Sequence, residues 1–154
     1  MGTKDLIKPV LERIGDVHFG RVAIKPGKPL TYATIGEATF FGLPGNPVSS
    51  LVCFENWVRP VLRLMMGHQT LWHPELTVTL SHDIKHAPDR TEYQRAVIET
   101  RDGTAYATTT GAQASSRLLS LVGANALLRI PHGTGDIAAG ETVSALLIDQ
   151  PEIE

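Results

Sequence analysis

The stretch KPGKPLTYATIGEATFFGLPGNPVSSLVCFENWVRP, residues 25–60, decides how this chain is interpreted. It contains two proline-glycine corners, KPGKP at 25–29 and LPGNP at 43–47, in a span that is otherwise largely apolar. Proline fixes the backbone φ angle and glycine adopts conformations closed to other residues, so both corners are stiff. The first corner carries two lysines and the second leads into a predicted helix. Together they favour a pocket for an anion, although each alone is also typical of an ordinary turn or helix cap.

The bulk composition excludes several classes of protein. The 154 residues are 42% hydrophobic and 19% charged, as in ordinary globular domains, and the formal charge of −2 gives no attraction to nucleic acid or anionic membranes. Cys53 is the only cysteine, which excludes an internal disulfide and favours a reducing compartment. No apolar run reaches the roughly 18 residues of a membrane span, and no signal-peptide profile is present. We predict a soluble, cytoplasmic protein without nucleic-acid or membrane partners.

The first third of the sequence predicts one helix and three strands. The helix covers DLIKPVLERIG, with Asp5 as its N-cap. Its predicted apolar face consists of Ile7, Val10, Leu11 and Ile14. The strands are VHFGRVAI, LTYATI and ATFFGL, which are rich in β-branched and aromatic residues.

A long helix is predicted after the second corner. Asn46 is its N-cap and Pro47 its first helical residue. Pro60 should kink the helix because proline donates no amide hydrogen, and Gly67 should end it. Its predicted apolar face consists of Val48, Leu51, Val52, Val58, Val61, Leu62 and Met65.

The sequence changes character after Gly67. Short strand-like runs separated by turn signals predict a small antiparallel β domain, of barrel or open-barrel type, over residues 70–150. One helical segment, SRLLSLVGAN, interrupts the strands. The elements before Gly67 are too few to cover both faces of a parallel sheet, so they are interpreted as the back half of a larger α/β domain.

The two corners supply the candidate anion ligands. Lys25 and Lys28 project from a stiff turn and lose little entropy on binding an anion. Gly45 permits close approach of a ligand to the backbone, and the helix that starts at Asn46 presents free amide hydrogens. Ser49 adds a hydroxyl in the first turn. The alternatives are two solvated lysines on a surface turn and a simple helix cap.

Six motifs carry a resemblance to a known family: VAIKPGKP, FFGLPGNPVSSLVCF, RLMMGH, RTEYQRAVIE, TTTGAQASSRLLSLVGANALLRIP and AAGETVSALLI. In this order they resemble the C-terminal part of the MoeA family, which includes the E domain of gephyrin. The resemblance implies an α/β fold followed by an all-β fold. Residues 1–68 would be the C-terminal half of a MogA-like molybdopterin-binding α/β domain, and residues 69–154 a small C-terminal β-barrel domain similar to MoeA domain IV.

The resemblance also implies an activity. The family consists of molybdopterin molybdenumtransferases, which transfer molybdate onto the dithiolene sulfurs of adenylated molybdopterin, with release of AMP, in a magnesium-dependent step. Its members are homodimers. They also carry further N-terminal domains, and MGTKD resembles the end of a glycine-rich loop that precedes this region, so we expect the isolated fragment to be inactive. The alternative is a non-catalytic, gephyrin-like scaffold or interaction module.

Individual roles follow by motif. The residues assigned to the molybdate oxyanion are Lys25, Lys28, Arg90 and Ser115. The residues assigned to the molybdopterin side are Asp5, Pro29, Gly45, Asn46, Pro47 and Ser49. Arg90 offers planar donors that suit an oxyanion, but it could equally be a solvated turn residue.

Some assignments keep a second interpretation. Ser115 and Asp5 could each be a helix N-cap instead. Arg95 and Arg117 are weaker candidates, since periodicity alone could place them on solvated faces. Cys53 is interpreted as a buried small apolar residue. The magnesium ligands cannot be assigned, and the six histidines show no metal-binding spacing.

Overall fold

The computed structural model describes residues 7–149 and, in addition, the backbone of residues 152–153. The first part of the chain forms helices and short strands. These are α1 (Ile7–Ile14), β1 (Asp16–Phe19), β2 (Ile24–Lys25), β3 (Thr31–Ile35), β4 (Ala38–Gly42), α2 (Pro47–Cys53) and α3 (Arg59–Met65). Asp5, the predicted N-cap of the first helix, lies outside the described residues.

The second part of the chain is the predicted barrel. Its elements are β5 (Glu75–Leu80), β6 (Thr91–Arg101), β7 (Thr104–Thr109), a 3₁₀ turn (Leu118–Leu121), β8 (Ala126–Ile130), β9 (Thr142–Leu147) and β10 (Glu152–Ile153). Five strands pair in the order β6-β7-β5-β9-β8, and the pairing of β8 with β6 closes the barrel. The α/β fold followed by an all-β barrel is therefore confirmed.

Two details of the predicted β domain are wrong. The pairing of β5 with β7 is parallel, so the barrel is not entirely antiparallel. The predicted helical segment SRLLSLVGAN shrinks to the single 3₁₀ turn Leu118–Leu121. That segment is too short for a stable helix of its own, and most of it crosses the surface as an irregular connection.

The predicted strand VHFGRVAI is also divided. Strands β1, β3 and β4 form an antiparallel sheet, but β1 ends at Phe19 after an irregularity in its register with β3. The chain then bends, and β2 pairs with β6 of the barrel, where Ile24 lies opposite Thr91 and Lys25 opposite Glu92. This parallel pairing connects the first part of the molecule to the barrel.

The long helix is continuous but irregular. Phe54–Val58, between α2 and α3, is a π-helical segment in which the Arg59 amide donates to the Phe54 carbonyl. Proline has no amide hydrogen, so the helix is irregular just before Pro60, where the sequence predicts a kink. Gly67, with φ of 80°, follows the last turn as predicted.

Two apolar clusters form the interior. One fills the barrel, and the other packs helix α2 against β2 and the outer side of β6 through Ile24, Leu30, Val52, Cys53 and Tyr93. Burial of Cys53 is thereby confirmed. The predicted helix faces are buried only in part. The residues of the predicted faces that are exposed on α1 and α3 are Ile7, Val10, Ile14, Leu62 and Met65.

Candidate functional site

The KPGKP corner packs directly on the long helix. Lys25 ends β2, the following peptide bond to Pro26 is cis, and Gly27 has a φ of 113°, which favours glycine. A Cβ atom on Gly27 would lie 2.6 Å from the Cys53 Sγ atom. The Cys53 thiol donates to the Gly27 carbonyl over 3.4 Å. Gly27 therefore lets the first corner lie against α2, the first part of the long helix.

The LPGNP corner begins the helix with little packing around it. Asn46 has the extended backbone of an N-cap, with φ of −77° and ψ of 126°, but its side chain makes no capping hydrogen bond. Its amide nitrogen lies instead 3.4 Å from Ser115 Oγ, as a donor to that hydroxyl. Ser115 does not begin a helix, since Arg117 precedes the 3₁₀ turn. This contact joins the second corner to a loop of the barrel.

The predicted site residues converge on one cavity of about 350 Å³. Eight of the ten line it: Lys25, Lys28, Pro29, Gly45, Asn46, Ser49, Arg90 and Ser115. Pro47 does not line the cavity, and it begins helix α2 as expected. Asp5 lies outside the described residues. The first part of the chain supplies two walls of the cavity and the barrel supplies the third.

The two lysines of the first corner have different environments. The Lys25 ammonium lies 3.1 Å from Glu92 Oε1, and the Glu92 side chain is only 3% exposed. Lys28 is exposed, and its ammonium has no ion-pair partner within residues 7–149. Sequence reasoning treats the two lysines as equivalent, whereas only Lys28 carries an uncompensated charge.

Arg90 is also partly compensated. Its Nε donates to Asp89 Oδ2 over 2.8 Å and its Nη1 to the Ile24 carbonyl over 3.4 Å. The hydrogen bond from Arg90, and less strongly the charge of Lys25, lower the pKa of Asp89. The Nη2 group of Arg90 has no hydrogen-bond partner in the part of the chain described here. Arg90 is therefore held against β2, and its Nη2 group remains available to a ligand.

Arg95 is a weaker site candidate that periodicity alone could place on a solvated face, and the structure places it in the interior instead. It is completely buried, and burial lowers its pKa. Its guanidinium donates to Ser120 Oγ and to the carbonyls of Ala112 and Gln113. The Gln113 side chain in turn bonds to the backbone of Arg95. Arg95 thus holds the loop that presents Ser115 to the cavity.

Sequence reasoning did not predict the burial of Arg95, because β6 does not follow simple alternation. Residues 92–96 are all buried, since one face of the strand lies in the barrel core and the other packs against the second cluster and the loop. Glu92, which pairs with Lys25, is missed for the same reason. Gln113, which lines the cavity, lies in the irregular connection after β7, where periodicity gives no signal. The available signal is the run of charged and polar residues inside a strand that is otherwise apolar.

Comparisons with known proteins agree with the motifs. The profile of the MoeA C-terminal region (domain IV) matches residues 77–148, and that of the probable molybdopterin-binding domain matches residues 1–64. The chain belongs to the MoeA and gephyrin E-domain family.

Relatives of this MoeA-family chain come from distant organisms. It is 43% identical to gephyrin of Dictyostelium discoideum, over 96% of this chain and 24% of the relative. It is 35% identical to the molybdopterin molybdenumtransferase of Haemophilus influenzae, over 94% of this chain and 36% of the relative. The chain thus spans a quarter to a third of the length of these relatives. Molybdopterin biosynthesis MoeA protein from Pyrococcus horikoshii superposes with a TM-score of 0.76 at 27% identity, over 95% of this chain and 35% of that protein.

The MoeA-family chain offers little for a resident metal. Within residues 7–149, no group of three or more His, Cys, Asp and Glu side chains could hold a metal ion. The same part of the chain has no helix long and apolar enough to cross a membrane.

Proposed function

We propose that the protein acts in molybdenum cofactor biosynthesis as part of a molybdopterin molybdenumtransferase, which inserts molybdate into adenylated molybdopterin with release of AMP. The observation that carries this proposal is the convergence of Lys25, Lys28, Arg90 and Ser115 on one cavity. These residues come from two corners and a barrel loop that are distant in sequence. The names of relatives such as the Haemophilus influenzae enzyme support the same reaction.

The charges of the cavity suit an oxyanion. Three cationic side chains, Lys25, Lys28 and Arg90, line it, and two of them are paired with Glu92 and Asp89. One uncompensated positive charge therefore remains. A planar guanidinium and a free ammonium are both strong partners for a tetrahedral dianion such as molybdate.

The uncharged groups can orient the substrates. Ser115 Oγ accepts a hydrogen bond from Asn46, so its own hydrogen can point to an oxyanion. We assign Gly45, Asn46 and Ser49 to the phosphate of the pterin substrate, where the first turn of the helix offers amide donors. Pro29 and Pro47 keep the two corners rigid. The residues act by positioning and charge neutralisation, as expected for exchange of metal ligands.

The remaining expectations rest on the family. Cytoplasmic location, a homodimer, dependence on Mg²⁺ and inactivity of the fragment alone stay predictions. The scaffold alternative predicts an apolar patch on the β domain. Leu118, Leu119 and Val122 are exposed there, but nothing in the structure indicates a partner that covers them. The transferase function is therefore the one that we propose.

Titration of the purified protein with sodium tungstate and sodium molybdate, followed by calorimetry, tests the cavity. Lys28→Ala should weaken binding by about tenfold or more, because a charge-assisted hydrogen bond contributes about 1.5–3 kcal/mol. Lys8→Ala is the matched control, since Lys8 is an exposed lysine of α1 that does not line the cavity. Equal affinities for the wild type and Lys28→Ala would contradict the proposal.

A second experiment tests the reaction itself. The wild type and the two lysine variants are expressed within the complete enzyme, in a strain that lacks its own molybdopterin molybdenumtransferase. Activity of a molybdenum-dependent enzyme is then measured. We expect restoration by the wild type and by Lys8→Ala, but not by Lys28→Ala. Full restoration by Lys28→Ala would show that the oxyanion assignment is wrong.

A further inference from the structure

The ion pair between Lys25 and Glu92 lies at the junction of the two parts of the molecule. The two residues are opposite each other in the pairing of β2 with β6, and their charged atoms are 3.1 Å apart. Lys25 is 43% exposed, whereas Glu92 is 3% exposed. The carboxylate is therefore part of the interior, and the ammonium faces the solvent-filled cavity.

The buried carboxylate depends on this lysine. Glu92 Oε2 is buried and has no hydrogen-bond partner in the described structure. Two further cation-forming groups lie near Glu92. His86 Nε2 is 4.0 Å from Oε2 and is hydrogen-bonded to the Arg90 carbonyl over 3.0 Å. Burial lowers the pKa of Arg95, and the charge of Glu92 raises it. A carboxylate in such a site is stabilised chiefly by the one ammonium that contacts it directly.

Lys25 lies between two cavities. It lines the site cavity and also a neighbouring cavity of about 520 Å³, and Glu92 lines only the second. An anion in the site cavity would therefore approach the ammonium from a cavity that Glu92 does not line. The ammonium would be shared between an external anion and an internal one.

We propose that Glu92 sets the oxyanion affinity of the site by holding Lys25 in a preformed ion pair. A bound oxyanion must compete with Glu92 for the Lys25 ammonium. This inference rests on the proposed function of the cavity. Glu92 keeps Lys25 in place while the cavity is empty and limits how strongly the lysine binds an anion. The site then binds its oxyanion reversibly, although it is lined by three cations.

Asp89 provides a matched comparison. It pairs with Arg90 in the same way that Glu92 pairs with Lys25, but its side chain is 57% exposed. Water and salt screen an exposed pair far more than a buried one. Removal of the charge should therefore matter at Glu92 and hardly at Asp89.

The test is calorimetric titration of tungstate into the wild type, Glu92→Gln, Asp89→Asn and Lys28→Ala. Glutamine keeps the shape and an acceptor oxygen for Lys25 but removes the charge. We expect Glu92→Gln to bind tungstate about tenfold more tightly, equivalent to about 1.4 kcal/mol. Asp89→Asn should change the affinity less than twofold.

Glu92→Gln in a Lys25→Ala background distinguishes two effects of Glu92 on anion affinity: its ion pair with Lys25 and its direct repulsion of the anion. There, Glu92→Gln should change the affinity less than twofold, because no ammonium remains to be released. An equal gain in both backgrounds would overturn the proposal, and so would unchanged or weaker binding by Glu92→Gln alone. The Lys25 Nζ resonance of ¹⁵N-labelled wild-type protein gives a readout without mutation, and it should shift when tungstate is added. Absence of that shift would also contradict the proposal.

The outcomes distinguish the inference from the function on which it rests. If the wild type binds tungstate and Lys28→Ala weakens binding, the function stands whatever Glu92→Gln does. If the wild type does not bind tungstate, or if Lys28→Ala binds equally well, the proposed function fails and the role of Glu92 fails with it.

Discussion

The two proline-glycine corners look alike in the sequence and differ in the folded protein. In KPGKP, the space beside Gly27 is filled by Cys53 and Ile24, and the backbone has a positive φ angle. In LPGNP, apart from Gly45 itself and its chain neighbours, no atom of the described residues lies within 4 Å of the position where a Cβ would be placed on Gly45. The first glycine is required by the fold, whereas the second is not.

The difference separates a structural requirement from a functional one. The first corner is a packed wall, held by the contact of Gly27 with Cys53 and by the ion pair of Lys25 with Glu92. The second corner is open and faces the cavity. Open space beside a glycine at a proposed binding site is consistent with close approach of a ligand to the backbone.

The strongest test of the packed wall is the reactivity of the Cys53 thiol, which lies against Gly27. Burial raises the pKa of Cys53 from 9.0 to about 12, so its thiolate fraction at pH 8 falls about a thousandfold. Iodoacetamide should label the native protein at least that much more slowly than the protein unfolded in urea. Comparable rates would mean that the corner opens readily and that the contrast with LPGNP is wrong.

The same thiol makes stability depend on pH. The folded pKa is raised, so the stabilising contribution is present below about pH 9 and is lost as pH rises toward 12. Urea unfolding of the wild type and Cys53→Ala between pH 8 and 10 measures this. The difference in unfolding free energy should change only above pH 9.

Gly27→Ala should have the next largest effect. The new Cβ atom would lie 2.6 Å from Cys53 Sγ, and alanine disfavours the φ of 113°. Strain and overpacking together should lower the free energy of unfolding by about 2–5 kcal/mol. Urea denaturation measures the loss, and Gly27→Ala combined with Cys53→Ala should recover part of it. Full stability of Gly27→Ala alone would refute the packed-wall description.

Lys25→Ala should destabilise the protein by about 1–3 kcal/mol, because it leaves the buried Glu92 carboxylate without its partner. Glu92→Gln in the same chain should restore most of this loss. Thermal denaturation of the wild type, the two single variants and the double variant gives the coupling free energy between Lys25 and Glu92. The result also sharpens functional tests, since loss of activity in Lys25→Ala alone would combine stability with anion binding.

Gly45→Ala should have the smallest effect on the fold. No neighbour occupies the space and the φ angle is not in the left-handed region, so the free energy of unfolding should change by less than about 0.5 kcal/mol. Tungstate affinity should change little, whereas binding of a phosphate-containing pterin should weaken. A large loss of stability would show that the two corners are alike after all.

Local patterns predicted much of the fold. Strands β3 and β4, the β domain after Gly67 and the start of the long helix at Asn46 are confirmed, because alternation, turn residues and an N-terminal proline are local signals. The predicted strand at residues 17–24 is divided into β1 and β2, because β2 pairs with the barrel instead of continuing β1. The apolar face of α1 is likewise mostly exposed, with only Leu11 buried.

The site was predicted by residue type and by family motif. The structure brings Lys25, Lys28, Arg90 and Ser115 together. Periodicity could not identify the partners of these residues, because Glu92 and Arg95 lie in a strand that is buried on both faces.

The sequence by itself determined the order of the elements, the two stiff corners and the family. The order of the elements and the stiff corners follow from backbone restrictions and side-chain periodicity within short segments, and the family follows from the resemblance of the motifs. Only the tertiary structure decided which lysine is paired, which glycine is packed and which arginine is buried. Those properties depend on the pairing of β2 with β6 and on contacts between residues that are far apart in the chain. Burial turns such contacts into strong interactions, and no local pattern records them.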